Sequence, residues 1–141
     1  MKRKGSAVWQ GGLKEGKGAV STDSGVLSGT QYSFGTRFEN GIGTNPEELI
    51  AAAHAACFSM ALSAQLGGAS LTPERIATVA TLSMDRLEAG WTITAVHLDV
   101  TAKVPGADPA AFETAASTAK ANCPVSRLLN ATITVEARLE T

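Results

Sequence analysis

The feature of this sequence that most restricts its fold is a long apolar segment near the middle of the chain, predicted as a helix over Pro46–Leu66. Thr44 followed three residues later by Glu47 has the pattern of a capping box, and Gly67-Gly68 ends the run. Positions 49–58 are almost entirely apolar, so this helix has no polar face to turn toward water. We therefore expect a buried helix, whose alanines allow another backbone to approach closely.

Shorter periodic segments lie on both sides of this helix. Alternating apolar residues predict strands before and after it, and Asp108-Pro109 has the pattern of a helix start. The predicted strands are Ser6–Trp9, Lys17–Val20, Gln31–Phe38, 80–84, 96–104 and 131–139, and the predicted helices after the long one are Pro109–Ala121 and Pro124–Leu129. This order indicates an α+β fold with antiparallel β-sheets wrapped around a long central helix.

The overall composition is that of one globular domain. The chain has 141 residues, of which 44% are hydrophobic and 18% charged, so we expect a single domain over residues 1–141. A formal net charge of −1 argues against nucleic-acid binding. The basic start, Met1-Lys2-Arg3-Lys4, has no apolar run after it, so we predict neither a secretory signal nor a membrane association. The expected location is cytoplasmic, where a cysteine pair is rarely a static disulfide.

The two cysteines, Cys57 and Cys123, have different local settings. Cys57 lies inside the long helix, where a free cysteine is often a small buried hydrophobic residue. Cys123 precedes Pro124 and is predicted to cap the short helix, where backbone N–H groups lower the pKa of a thiol. Local chemistry alone therefore makes Cys123 the more acidic thiol, although a structural role as a buried cap also fits it.

Two histidines raise further alternatives. His54 lies three residues before Cys57, and with both cysteines and His97 it could be imagined as a zinc site. We expect no metal, because His97 falls on the polar face of its predicted strand and no closely spaced ligand pair exists besides His54 and Cys57. We interpret His54 as a core or interface histidine. A cysteine hydrolase using His54 and Cys57 would need an oxyanion hole and a base-orienting group that the sequence does not reveal.

Short motifs throughout the chain carry a resemblance to a known family. They are Ser21–Leu27, Thr36–Glu39, Gly43–Leu49 running into His54–Phe58, Val104–Gly106 and Asn122–Ser126. In order and context they resemble the OsmC/Ohr family of osmotically inducible and organic-hydroperoxide-resistance proteins, most of all its OsmC branch. The resemblance spans almost the whole chain and includes both cysteines.

This resemblance implies a thiol-dependent peroxidase that reduces organic hydroperoxides and hydrogen peroxide, and an intertwined homodimer with active sites at its interface. Cys57 would be the peroxidatic cysteine, oxidised to a sulfenic acid, and Cys123 the resolving cysteine that forms a disulfide with it. An external dithiol, such as a lipoylated protein, would reduce the disulfide, without a metal or flavin cofactor. Arg37 would stabilise the Cys57 thiolate, and Glu47 would orient Arg37.

Helix geometry adds an expectation about the dimer. Glu47 and Cys57 are ten residues apart on the predicted helix, which corresponds to about 15 Å. A glutamate side chain cannot span that distance, so we predict that the Glu47 serving a given Cys57 comes from the partner subunit. The alternative from another functional class is a dimeric stress protein that binds a lipid or other small molecule without catalysis.

Overall fold

In the computed structural model, which describes residues 1–140, the chain divides after Leu49 into two units. The first unit is an antiparallel three-stranded meander followed by one short helix, and its strands pair in chain order. Its elements are β1 (Gly5–Gln10), β2 (Lys17–Thr22), β3 (Thr30–Tyr32) and α1 (Phe34–Phe38). This agrees with the predicted N-terminal strands, and the assignment of residues 1–141 to a single domain stays a prediction.

The strand predicted over Gln31–Phe38 is wrong beyond Tyr32, because the chain turns there into α1. Ser33 and Thr36 form a reciprocal capping box: the Thr36 N–H donates to Ser33 Oγ at 3.2 Å, and the Ser33 N–H donates to Thr36 Oγ1 at 2.8 Å. These two bonds satisfy backbone donors that a strand edge would leave unpaired. Local capping thus overrides the β-like composition, and it places Arg37 in the last turn of a helix.

The long central helix is α2 (Pro46–Gly68), close to its predicted bounds, but its cap differs from the prediction. Asn45, rather than Thr44, caps it, since Asn45 Oδ1 accepts from the Glu48 N–H at 2.8 Å. Thr44 Oγ1 donates to the Glu48 carboxylate at 2.6 Å. The predicted Thr44–Glu47 capping box is therefore wrong by one residue at each end, which leaves the Glu47 carboxylate available for another partner.

The second unit is a three-stranded sheet with two helices between its second and third strands. Its elements after α2 are β4 (Arg75–Leu87), β5 (Gly90–Lys103), α3 (Pro109–Asn122), α4 (Pro124–Leu128) and β6 (Thr132–Glu140). β4 and β5 pair antiparallel, whereas β5 and β6 pair parallel. The α+β class is confirmed, but this sheet is mixed rather than antiparallel. The reason is the crossover through α3 and α4. It carries the chain from the end of β5 back toward the end where β5 began, so that β6 runs in the same direction as β5.

Within the second unit, α2 contributes one side to the core. Its fully buried side chains recur every fourth residue, at His54, Phe58, Leu62 and Leu66. They join a cluster that includes Val96, Leu98 and Val100 of β5 and Phe112, Ala115, Ala116 and Ala119 of α3. A spacing of four residues places the four α2 side chains on one face of a helix.

The opposite side of α2 is exposed and apolar. Ala52, Ala53, Ala56 and Met60 are all exposed, and Met60 is 76% exposed. The expectation that this helix is buried on all sides is therefore not met within one chain. By length and composition α2 could also cross a membrane, a property it shares with core helices of globular proteins.

Candidate active site

Cys57 and Cys123, which are 66 residues apart in sequence, meet in the second unit. Cys57 lies on α2 and is partly exposed, whereas Cys123 lies at the junction of α3 and α4 and is fully buried. Both are free thiols, and their Sγ atoms are 3.0 Å apart, within hydrogen-bonding distance. A disulfide bond is about 2.05 Å long, so a small movement would allow these sulfurs to bond.

The surroundings of the two thiols shift their pKa values in opposite directions. Burial and then the hydrogen bond with Cys123 raise the pKa of Cys57, against a lowering effect of the Val125 N–H. Burial on its own would raise the pKa of Cys123 too, but hydrogen bonds from Cys57, Ser126 and Val125 outweigh it and lower that pKa. The direction agrees with the prediction that Cys123 is the more acidic thiol, but the hydrogen bond from Cys57 lowers its pKa more than any single local group at the helix start does.

Cys123 owes this environment to the start of α4. It occupies the N-cap position, with Pro124 at the first helical position, although its side chain makes no regular capping bond. The nearby backbone N–H groups of Val125 and Ser126 and the Ser126 hydroxyl instead lower the pKa of its sulfur. Donors of this kind stabilise the thiolate over the thiol.

His54 lies in the same unit, but its side chain is hydrogen-bonded to Ser126 and not to Cys57. Its side chain is fully buried, and its Nε2 lies 2.7 Å from the Ser126 hydroxyl. Its Nδ1 has no hydrogen-bond partner among the described residues, and burial lowers the pKa of its imidazole. His54 is therefore a neutral core histidine connected to the Cys123 side of the thiol pair through Ser126.

Arg37 and Glu47 meet in the first unit, in the geometry of a bidentate ion pair. Arg37 Nη2 donates to Glu47 Oε1 at 2.6 Å, and Nε donates to both carboxylate oxygens at 3.0 and 3.1 Å. The Arg37 side chain is 38% exposed and that of Glu47 15%. Such a paired carboxylate holds the plane of the guanidinium in one orientation. The pair is the one that the family resemblance implies, and it belongs to a different unit from the two cysteines.

Arg37 also borders an apolar cavity of about 270 Å³ within the first unit. Its Cζ lies 5.3 Å from the centre of the Phe38 ring, which in turn contacts Phe34 at 4.9 Å between ring centres. The cavity is lined by Trp9, Leu13, Tyr32, Ser33, Phe34, Arg37, Phe38 and Pro46. An aromatic, mostly apolar wall beside a guanidinium suits a ligand with an apolar body and a polar or anionic end.

The second histidine lies outside this arrangement. His97 Nδ1 is 2.6 Å from Thr134 Oγ1 on an exposed, polar part of β5 and β6. Within residues 1–140 the structure contains no group of three or more His, Cys, Asp or Glu side chains placed to hold a metal ion.

Ser126 is the site residue that sequence reasoning did not single out. It lies at the third helical position after the capping Cys123, where a polar side chain can reach back toward the cap. That spacing, Cys-Pro-x-Ser, was the available signal. Its contact with His54, 72 residues earlier, left no trace in the local pattern.

Comparison with known proteins agrees with this geometry. The family described as OsmC-like protein matches residues 38–138. The chain is 54% identical over 138 residues to "Peroxiredoxin OsmC" of Escherichia coli (strain K12), covering 98% of this chain and 96% of that protein. It is 30% identical over 125 residues to "Organic hydroperoxide resistance protein" of Xanthomonas axonopodis pv. citri (strain 306), covering 88% of this chain and 85% of the relative.

Solved structures support the fold. The crystal structure of an OsmC-like protein from Mycoplasma pneumoniae matches with a TM-score of 0.79, covering 100% of this chain and 99% of the other. At 15% identity that likeness speaks for the fold only. The family match and the extent of identity to the Escherichia coli protein confirm the resemblance, and the chain therefore belongs to the OsmC family.

Proposed function

We propose that this chain is a thiol-dependent peroxidase that reduces organic hydroperoxides and hydrogen peroxide with Cys57 and Cys123, in oxidative or osmotic stress defence. The observation that carries the proposal is the pair of free thiols 3.0 Å apart, one partly exposed and one fully buried. The names of the two relatives, a peroxiredoxin and an organic hydroperoxide resistance protein, support it.

The reaction proceeds in three steps. The Cys57 thiolate attacks the distal peroxide oxygen, the O–O bond breaks, and the departing alkoxide or hydroxide takes up a proton to become alcohol or water while Cys57 becomes a sulfenic acid. The Cys123 thiolate then attacks the Cys57 sulfur, the S–O bond breaks, and the departing hydroxide takes up a proton to become water. An external dithiol reduces the resulting disulfide through a mixed disulfide.

Accessibility supports Cys57 as the attacking thiol. A peroxide must reach the nucleophile from solvent, and Cys57 is partly exposed whereas Cys123 is fully buried. Cys123 is in contact with Cys57 and needs no access to solvent in order to resolve its sulfenic acid. The raised pKa of Cys57 means that the attacking thiolate needs a cation, and Arg37, oriented by Glu47, is the group we assign to that role.

The cavity beside Arg37 supports an organic substrate. Its aromatic wall provides apolar surface for the organic part of a hydroperoxide, while the guanidinium suits the peroxide oxygens and the alkoxide that leaves. Hydrogen peroxide lacks the organic part and gains nothing from that wall. We therefore expect organic hydroperoxides to react with the higher kcat/KM.

We further propose that the active form is a homodimer. The exposed apolar side of α2, formed by Ala52, Ala53, Ala56 and Met60, is suited to a second copy of the same helix. Small side chains allow two helices to cross closely. Because Arg37 is bonded to Glu47 of its own chain, both side chains would come together from the partner to serve a given Cys57. A lipoylated protein or another dithiol as reductant and a cytoplasmic location complete the proposal.

The function is tested by stoichiometry. Reduced protein is mixed with limiting cumene hydroperoxide, and remaining peroxide, free thiols and intact mass are measured. We expect about one peroxide consumed for each Cys57–Cys123 disulfide formed, and continued turnover once dihydrolipoamide is added. Protein that keeps both thiols in the presence of peroxide would contradict the proposal and would favour the alternative of a lipid-binding or small-molecule-binding stress protein.

The dimer is tested by placing a charge on α2. Met60→Glu would bury an unpaired carboxylate in the proposed contact, so we expect a dimer dissociation constant weaker by at least about 100-fold. Analytical ultracentrifugation measures it. Val26→Glu is the matched control, because Val26 is an equally apolar, 85% exposed side chain on a loop of the first unit. A Met60→Glu protein with unchanged association would show that α2 does not form the interface.

A further inference from the structure

The buried group that the peroxidase mechanism leaves unused is His54. Its side chain is fully buried on α2, three residues before Cys57, yet its Nε2 contacts the Ser126 hydroxyl at 2.7 Å rather than either thiol. Ser126 lies three residues after Cys123 at the start of α4, and its hydroxyl is among the groups that lower the pKa of Cys123. His54, Ser126 and Cys123 therefore form one line of contacts inside the second unit.

The direction of the hydrogen bonds along this line follows from His54 Nδ1. That nitrogen is buried without a partner among the described residues. A neutral imidazole carries one N–H, and placing it on Nδ1 would bury an unpaired donor, whose desolvation is costly. The proton therefore belongs on Nε2, which donates to Ser126 Oγ. Burial lowers the pKa of His54, which keeps the ring in this neutral form at neutral pH.

With Ser126 Oγ accepting from His54, the serine hydrogen is free to point toward sulfur. In the opposite tautomer Nε2 would accept a hydrogen bond, and the single O–H of Ser126 would donate to His54. Ser126 can donate to Cys123 in the first arrangement only. The titratable groups that the structure places around Cys123 are Cys57, in direct contact, and His54, through the serine.

We propose that His54 is a positioning residue, which holds the Ser126 hydroxyl so that it donates to Cys123 Sγ and stabilises that sulfur as a thiolate. This inference rests on the proposed peroxidase function, whose resolving cysteine it concerns. It gives a role to a half-buried serine and a fully buried histidine that the peroxidase mechanism otherwise leaves unused.

The stabilised thiolate takes part in two steps of the cycle. In resolution, Cys123 attacks the Cys57 sulfenic acid as a thiolate, and more thiolate means faster disulfide formation. In reduction, an external dithiol thiolate attacks Cys57 Sγ, the Cys57–Cys123 bond breaks, and its electron pair stays on Cys123 Sγ. A leaving thiol with a lower pKa leaves faster, so the same hydrogen bond assists this step.

The test titrates Cys123 in a Cys57→Ser background, where the introduced serine retains a hydroxyl donor and Cys123 is the remaining thiol. Because Cys123 is fully buried, thiolate absorbance in the ultraviolet is followed rather than alkylation. Adding Ser126→Ala should raise the titration midpoint by about one pH unit, a roughly tenfold loss of thiolate at neutral pH. Adding His54→Leu should shift it in the same direction by a smaller amount, because the unheld hydroxyl can rotate away.

Non-additivity distinguishes positioning from packing. His54→Leu combined with Ser126→Ala should titrate like Ser126→Ala alone, since the histidine acts through the hydroxyl. His54→Gln and Ser126→Thr, which keep the donor and the hydroxyl, should stay near the parent. Ser59→Ala is the matched control: it removes a partly buried hydroxyl from α2 that bonds Ala55 and Thr78.

Two results would overturn the inference. An unchanged midpoint in Ser126→Ala would show that the hydroxyl does not stabilise the Cys123 thiolate. Shifts that add in the double variant would show that His54 affects Cys123 independently of Ser126. Circular dichroism identifies any variant that fails to fold. If the His54 variants fail, the difference in midpoint between Ser126→Ala and Ser126→Thr still shows whether the hydroxyl stabilises the thiolate. The titration uses neither peroxide nor reductant, so its failure is distinct from failure of the peroxidase proposal.

Discussion

Cys57→Ser should reduce peroxide consumption by roughly 10³-fold or more, to the rate of the buffer, because it replaces the attacking thiolate with a poor nucleophile. The partly exposed Cys57 is the thiol that peroxide can reach. The measurement is cumene hydroperoxide consumption with excess dihydrolipoamide. Cys123→Ser is the matched variant, since it removes the other sulfur of the same 3.0 Å pair. Without reductant it should consume about one equivalent of peroxide and then stop as a sulfenic acid.

This pair of variants also decides between accessibility and acidity. In the structure the pKa of Cys123 is lowered and that of Cys57 is raised. If the more acidic thiol were the one that attacks peroxide, Cys123→Ser would consume no peroxide and Cys57→Ser would still consume the first equivalent. That result would reverse the assigned roles. A dimedone adduct on Cys57 in Cys123→Ser, seen by mass spectrometry, is the expected positive outcome.

Arg37→Ala should lower kcat/KM for cumene hydroperoxide by about 10²- to 10³-fold, the range found when one preorganised group that stabilises developing charge is removed. The guanidinium would stabilise both the Cys57 thiolate and the leaving alkoxide. Glu47→Gln should cost about tenfold, because the arginine remains but loses the carboxylate that orients it. Initial rates at several hydroperoxide concentrations, with reductant in excess, give these values.

Two controls separate charge from geometry. Arg37→Lys keeps the cation but cannot reproduce the two-nitrogen bond to Glu47, so an intermediate loss is expected. Arg75→Ala removes an exposed arginine that pairs with Glu140 on the sheet of the second unit, and it should leave kcat/KM unchanged. Wild-type activity in Arg37→Ala would refute the assigned role.

Mixed dimers reveal which chain supplies Arg37. Equal amounts of Cys57→Ser and Arg37→Ala protein, unfolded and refolded together, give mixed dimers. If Arg37 acts on the partner's Cys57, each mixed dimer has one intact site, and the mixture regains about a quarter of wild-type activity. If Arg37 acts within its own chain, no site is intact and the mixture stays at the level of the two variants.

The elements that the sequence determined are those with strong local signals. α2 follows from an apolar run bounded by Pro46 and paired glycines, and α3 from Asp108, whose Oδ1 accepts the Ala111 N–H at 2.9 Å as a helix cap should. The lowered pKa of Cys123 was predicted only in part, because the contributions of Val125 and Ser126 are local whereas the largest lowering one, from Cys57, is a tertiary contact. Local signals need only neighbours along the chain.

Other features were decided by tertiary structure. The contact of Cys57 with Cys123 and that of His54 with Ser126 join residues 66 and 72 positions apart, which no local pattern encodes. The local pattern placed Glu47 in a cap, but Asn45 and Glu48 complete the cap, and Glu47 binds Arg37, a pairing that only the family resemblance had implied. The parallel β6 likewise depends on how the crossover through α3 and α4 packs on the sheet. Local periodicity determines which segments form, whereas packing of the core determines which side chains meet.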